Sequence, residues 1–180
     1  MTKRFESVLG TAHMSPAELS AARLDGDIFP VGPSYLAWGY DDSSRSRALA
    51  LCPHIPRGLI VEAQTALWVY GFLRHFPSKI TLCTPVKRRR RASIKLPHTV
   101  REVLIAPHQI HGLCGLAVLS PLRLACDTLM ANNVATLADK VAFRLLCLTY
   151  SLSMKEIDRA LATSGHPRRN IARQRLASLV

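Results

Sequence analysis

Apolar and polar positions divide the first third of the chain into short, clearly bounded runs. Residues 3–9 have the spacing of a short helix. A second helix is predicted over residues 16–24. Ser15 is its N-cap, Pro16 takes the first position, and Glu18 stands three residues on, as in a capping box. Asp25-Gly26 ends it. Residues 28–31 and 34–38 then read as two short strands around Gly32-Pro33, a hairpin signature. Asp41-Asp42-Ser43-Ser44 is a polar hinge that starts a helix over residues 45–52, closed by Pro53 and Pro56.

Beyond this point the pattern changes. Ile60-Val61 is a short buried strand, and residues 62–72 form a helix with Ala66, Leu67, Val69 and Tyr70 near one face and Gly71 close to its end. Strands are predicted at residues 79–84, 92–96 and 100–106, with a weaker one at 111–118. The rest reads as helical. Ser120-Pro121 starts a helix to about Met130, Asn133 caps one over 134–150, and Ser153 caps one over 154–163. Gly165-His166-Pro167 turns the chain into a basic final helix over 168–179.

The fold class expected is therefore α+β. A shortened winged-helix-like module over residues 1–56 (helix, turn, helix, two-stranded wing) precedes a mixed α/β domain over 57–180 with a helical C-terminal end.

Charge sharpens this division. The 180 residues carry a net +12. Residues 1–56 hold five Lys/Arg against six Asp/Glu, a net of −1, and the remainder holds 19 against six, a net of +13. The basic character belongs wholly to the larger part, which favours a polyanion or an acidic protein as partner. Its densest point is Lys87-Arg88-Arg89-Arg90-Arg91, set between two predicted strands and followed by Lys95. Arg168, Arg169, Arg173 and Arg175 form a second cluster, with residues 169 and 173 on one helical face. Such clusters neutralise phosphates without reading sequence. In a helix-turn-helix the second helix would read bases. Here it offers only Ser20 and Arg23 for that task, among Glu18, Asp25 and Asp27, which is a poor match for a phosphate-lined groove.

Catalytic and metal chemistry find little support. The nine glycines are scattered, so no phosphate loop forms, and no GxSxG pattern occurs. In the β-rich middle Glu102 stands alone, too few carboxylates for a two-metal nuclease. His108 and His111 read as loop residues. The five cysteines lie in apolar runs without CxxC spacing, as buried free thiols rather than zinc ligands. No catalytic residue, metal or cofactor is expected. Arg123 and Asp127, four apart, make an i,i+4 pair, and Trp68 and Tyr70 are core or domain-interface residues.

Three patterns occur in order: Thr65-Ala66-Leu67-Trp68-Val69-Tyr70-Gly71-Phe72, then Thr84-Pro85 with the basic run behind it, then Ser120-Pro121-Leu122-Arg123-Leu124-Ala125-Cys126-Asp127. With the wing in front and the arginine-rich helix at the end, the chain resembles the AbiEi family of antitoxins from bacterial type IV toxin–antitoxin systems, from about residue 15 to 176. It departs from the family pattern at Leu124, where threonine is usual, and in lacking one N-terminal helix. The resemblance implies a non-catalytic cytoplasmic protein. Its winged helix would bind operator DNA as a transcriptional regulator, and its C-terminal domain would counteract a nucleotidyltransferase-type toxin. The residues alone leave open a homodimer, a protein-interaction module with a vestigial winged helix, and a relic of a longer nuclease-associated protein. The N-terminus lacks the apolar core of a signal peptide and no apolar stretch is long enough to span a bilayer, so no membrane contact is expected.

Overall fold

The computed structural model describes residues 7–86, 94–131 and 136–178. It has the expected α+β character. Strand β1 (Val8–Leu9) is followed by α1 (Pro16–Asp25), then β2 (Ile28–Val31), β3 (Ser34–Ala37) and α2 (Ser44–Leu51). The capping box of α1 forms as read. Ser15 Oγ accepts from the Glu18 amide at 3.3 Å, and Glu18 Oε2 accepts from the Ser15 amide at 2.7 Å. Gly26 closes the helix at φ 82°. Residues 8 and 9, expected at the end of a helix, are instead a strand that pairs antiparallel with β3, giving the sheet order β1-β3-β2. Among the described residues, α1 is thus the one helix before the hairpin, and the helix-turn-helix pair is not formed there.

This small sheet is anchored at its hairpin turn. Gly32 sits at φ 56°, and a Cβ added there would lie 2.8 Å from Trp68 Cη2 and 3.2 Å from Phe76 Cδ2. Those two rings are locked edge to face with centroids 4.8 Å apart. Gly32→Ala adds a left-handed penalty and an overlap with packed aromatics, and is expected to cost about 2 kcal/mol in a urea titration. A loss below about 0.5 kcal/mol would show that the hairpin turn is not seated on Trp68.

The larger sheet has the order β6-β5-β4-β8-β7, built from β4 (Ile60–Val61), β5 (Ile80–Pro85), β6 (His98–Val103), β7 (Ile110–Leu113) and β8 (Leu116–Leu119). β5 and β6 run parallel, as do β4 and β8, and the other neighbours are antiparallel. Two strand expectations change. Residues 95 and 96 form a bend, residue 94 is in no regular element, and residues 92 and 93 lie outside the described residues. The single strand read over 111–118 is a hairpin, because Cys114 and Gly115 both take left-handed φ values, 50° and 86°, which suit a tight two-residue turn. His111 is accordingly a strand residue, and His108 lies in the 3-10 turn Pro107–Gln109.

α3 (Ala63–Val69) crosses from β4 towards the start of β5. The C-terminal end is the helical group α4 (Pro121–Met130), α5 (Leu137–Thr149), α6 (Met154–Thr163) and α7 (Arg169–Ala177). α4 is central and packs against α3, α5, α6 and α7. Leu124, Phe143, Leu146, Ile157 and Leu161 are fully buried there and join Val61, Ile80, Leu82 and Leu119 of the sheet in one core. The cap of α5 is Thr136, whose hydroxyl accepts from the Asp139 amide. Asn133, expected in that role, lies outside the described residues. None of the described helices is long and apolar enough to cross a membrane.

Candidate functional site: a guanidinium–carboxylate network beside two cavities

The β4–α3 junction brings together residues far apart in the chain. Glu62 follows β4 as the N-cap of α3, and Ala63 turns the backbone through a left-handed φ of 47°, which a non-glycine residue holds only under surrounding constraint. That constraint comes from two threonines. Thr81 Oγ1 donates to the Glu62 carbonyl at 2.7 Å, and Thr65 Oγ1 accepts from the Thr81 amide at 2.9 Å. The Glu62 side chain, only 6% exposed, meets Arg101 of β6, whose Nε lies 2.7 Å from both carboxylate oxygens. Arg101 Nη2 also reaches Asp127 Oδ2 at 2.8 Å, and Asp127 Oδ1 takes the Nε of Arg123 at the same distance. Arg123 Nη1 continues to the Leu104 carbonyl and Gln109 Oε1.

The electrostatics follow from this alternation of charge. Hydrogen bonding to Glu62, and then its charge and that of Asp127, raise the Arg101 pKa above its ordinary value. Burial pushes the Cys126 thiol up to about 12, and the neighbouring Asp127 charge adds to it. Burial likewise raises Cys83. Both thiols stay protonated at neutral pH and are poor nucleophiles or metal ligands. Among the described residues, no group of three His, Cys, Asp or Glu side chains is placed to hold a metal ion.

Two cavities border the network, about 1090 Å³ and 530 Å³; Arg101 and Arg123 line both, and Glu62 and Asp127 line the smaller. His108 and His111 border the larger one, Asp139 and Arg168 border the smaller, and His166 borders both. Arg123 and Asp127 are legible in the sequence as an i,i+4 pair. Glu62 and Arg101, 39 residues apart, carry no local signal.

The arginines of the last helix behave differently from a free basic face. Arg168 Nη1 donates to the Met130 carbonyl at 3.1 Å, and Arg175 Nη1 to those of Leu129 and Ala131 at 2.9 and 2.7 Å. Together they satisfy carbonyls that the end of α4 leaves without helical partners. Arg173 forms a two-point ion pair with Asp158 of α6. Arg169 and Lys95 are exposed, as are Ser20 and Arg23 on α1, of which only Leu19 is buried. Lys87, Arg88, Arg89, Arg90 and Arg91 lie outside the described residues. The strands on either side of them, β5 and β6, are neighbours in parallel register from Ile80↔His98 to Pro85↔Val103.

No family model matches the chain, and no curated protein matches it. Among solved structures it is similar to the crystal structure of the RV2827C protein from Mycobacterium tuberculosis. The identity is 15% and the TM-score 0.49, over 97% of this chain and 71% of that one.

Proposed function

We propose that this chain is an AbiEi-like antitoxin and transcriptional regulator. It acts without catalysis, binding DNA chiefly through the phosphate backbone and/or counteracting a nucleotidyltransferase-type toxin. The observation that carries the reading is the separation of charge, −1 in residues 1–56 against +13 in 57–180. The network beside the cavities supports the non-catalytic part, since Glu62 and Asp127 are each engaged by arginine and act as structural acceptors.

With Arg168, Arg173 and Arg175 engaged within the fold, backbone binding falls to Lys87, Arg88, Arg89, Arg90, Arg91, Lys95 and Arg169. A salt titration of DNA binding, read by gel shift on the gene's own upstream region, tests this. Replacing Arg88, Arg89, Arg90 and Arg91 together by serine is expected to reduce the slope of log K against log salt by about 0.9 for each phosphate no longer neutralised. An unchanged slope removes the run from the interface. A specific complex surviving about 150 mM salt supports repression, and equal, salt-labile binding to every sequence sinks it. The reading of a protein-interaction module is favoured by one observation. α1, the helix that would read bases, exposes Glu18 and Asp25 beside Arg23.

A further inference from the structure

The outer face of α5 is apolar where a solvated helix would be polar. Leu137, Val141, Leu145 and Leu148 are all exposed, Leu137 and Leu148 by 78% and 77%. At about 3.6 residues per turn they share roughly 80° of arc, a continuous stripe about 16 Å long. The opposite face is spent on the core, with Ala142, Phe143, Leu146 and Cys147 buried. A row of exposed aliphatics on one helix, turned away from the core, is the form that helix-in-groove and coiled-coil docking takes. One edge of the stripe is basic: Lys140 and Arg144 are exposed along it. The other edge is lined by Ala138 and Thr149, which are uncharged, while Asp139 turns away to cap the helix with Thr136.

We propose that this face docks an amphipathic helix of an acidic protein, with its apolar side on the Leu137–Leu148 stripe and carboxylates facing Lys140 and Arg144. Charge selects this occupant over a second copy. Two molecules at +12 each repel. An antiparallel two-fold pairing through the stripe would also set the Lys140–Arg144 edge against its own counterpart. A nucleic-acid duplex keeps its base faces stacked inside and presents chiefly phosphates, a poor match for a row of leucines. None of the stripe residues belongs to the basic positions assigned above, so this docking face stands apart from DNA binding.

The test uses the full chain and two designed, fluorescein-labelled helices with leucine at a and d, one with glutamate on both rims and one with lysine. Anisotropy is read for the unaltered protein and for a Leu145→Gln/Leu148→Gln variant, whose changes are solvent-facing and whose fold is checked by circular dichroism. The glutamate helix is expected to bind, with at least about tenfold weaker binding to the variant and for the lysine helix. The proposal is overturned by any of four results: no binding of the glutamate helix, equal binding of both helices, binding unaffected by the variant, or a dimer of the unaltered protein in light scattering that the variant dissolves. The last would assign the stripe to a second copy.

Discussion

Arg47→Met is expected to destabilise the protein by about 2–3 kcal/mol, the range for losing buried hydrogen bonds made by a charged group. The Arg47 guanidinium is buried under α2 and makes four short hydrogen bonds. Nε and Nη2 donate to the two Asp42 oxygens at 2.7 Å each, and Nη1 donates to the carbonyls of Trp68 and Leu73 at 2.8 Å each. Its carbon lies 5.3 Å from the centroid of the Trp68 ring. Methionine fills much of the volume yet takes its donor from the Leu73 carbonyl, and an acceptor left without a partner costs about 1–3 kcal/mol, while the Trp68 carbonyl keeps the Gly71 amide at 3.0 Å. The residue therefore clamps α2, and through it the N-terminal hairpin, to the end of α3. Asp42→Asn is the control. Asp42 is nearly half exposed, so its charge is screened, and the loss should stay near 1 kcal/mol because both carbonyl contacts survive. Equal small losses for both substitutions would remove Arg47 from this role.

The same pair gives a pH dependence. Hydrogen bonding from Arg47 holds the Asp42 carboxyl below its ordinary range, against the opposing effect of burial. A carboxyl depressed in the folded state contributes stability that is present above its unfolded pKa and lost as pH falls through the folded one. The urea midpoint should therefore drop as pH falls below about 4, and less steeply in Arg47→Met, where the depression is gone.

How far the fold can be read from residues alone depends on how local each determinant is. α1 and α6 carry their own boundaries, since Ser15/Glu18 and Ser153/Glu156 are reciprocal caps within four residues of chain. Their starts are legible in the sequence. The cap of α5 has the same signal in Thr136/Asp139. Asn133 competes with it in the sequence, although the residue three positions on is Thr136, which cannot complete the box. β1 has no such signal. Two residues become a strand because Leu36 and Tyr35 lie opposite them, and this is settled by tertiary pairing. The β7–β8 hairpin is hidden because its turn uses cysteine in a left-handed conformation, a residue that composition assigns to the core. The candidate site divides in the same way. Arg123 and Asp127 share a helix face, and their pairing is visible in the spacing. Glu62 finds Arg101 only after β4, β5 and β6 have assembled. The basic final helix misleads for a related reason: periodicity sets Arg169 and Arg173 on one face, but does not show that Arg173 meets Asp158 of α6 or that Arg168 and Arg175 meet the last carbonyls of α4.

The largest test of that assembled network is the Glu62–Arg101 pair. Arg101→Met strands a carboxylate that is almost wholly buried, and is expected to cost about 3 kcal/mol. This is the low end for a broken buried pair, because the Arg101 side chain is 49% exposed and some screening reaches it. Glu62→Gln removes the charge and keeps an acceptor for Arg101, so its cost should be nearer 1 kcal/mol. Combining them removes both the buried charge and its partner. The double variant should recover at least about 1 kcal/mol relative to the sum of the singles, whereas sites that do not interact add within about 0.5 kcal/mol. Simple additivity in urea titrations would mean that the pair contributes nothing beyond its separate members. On the function proposed above, DNA binding gives an independent readout. If Glu62 holds β4, β6 and α4 in place and takes no part in chemistry or phosphate contact, the folded Glu62→Gln protein retains its affinity and its salt slope. A changed slope at unchanged stability would instead put this carboxylate, and the smaller cavity that it lines, into the interface itself.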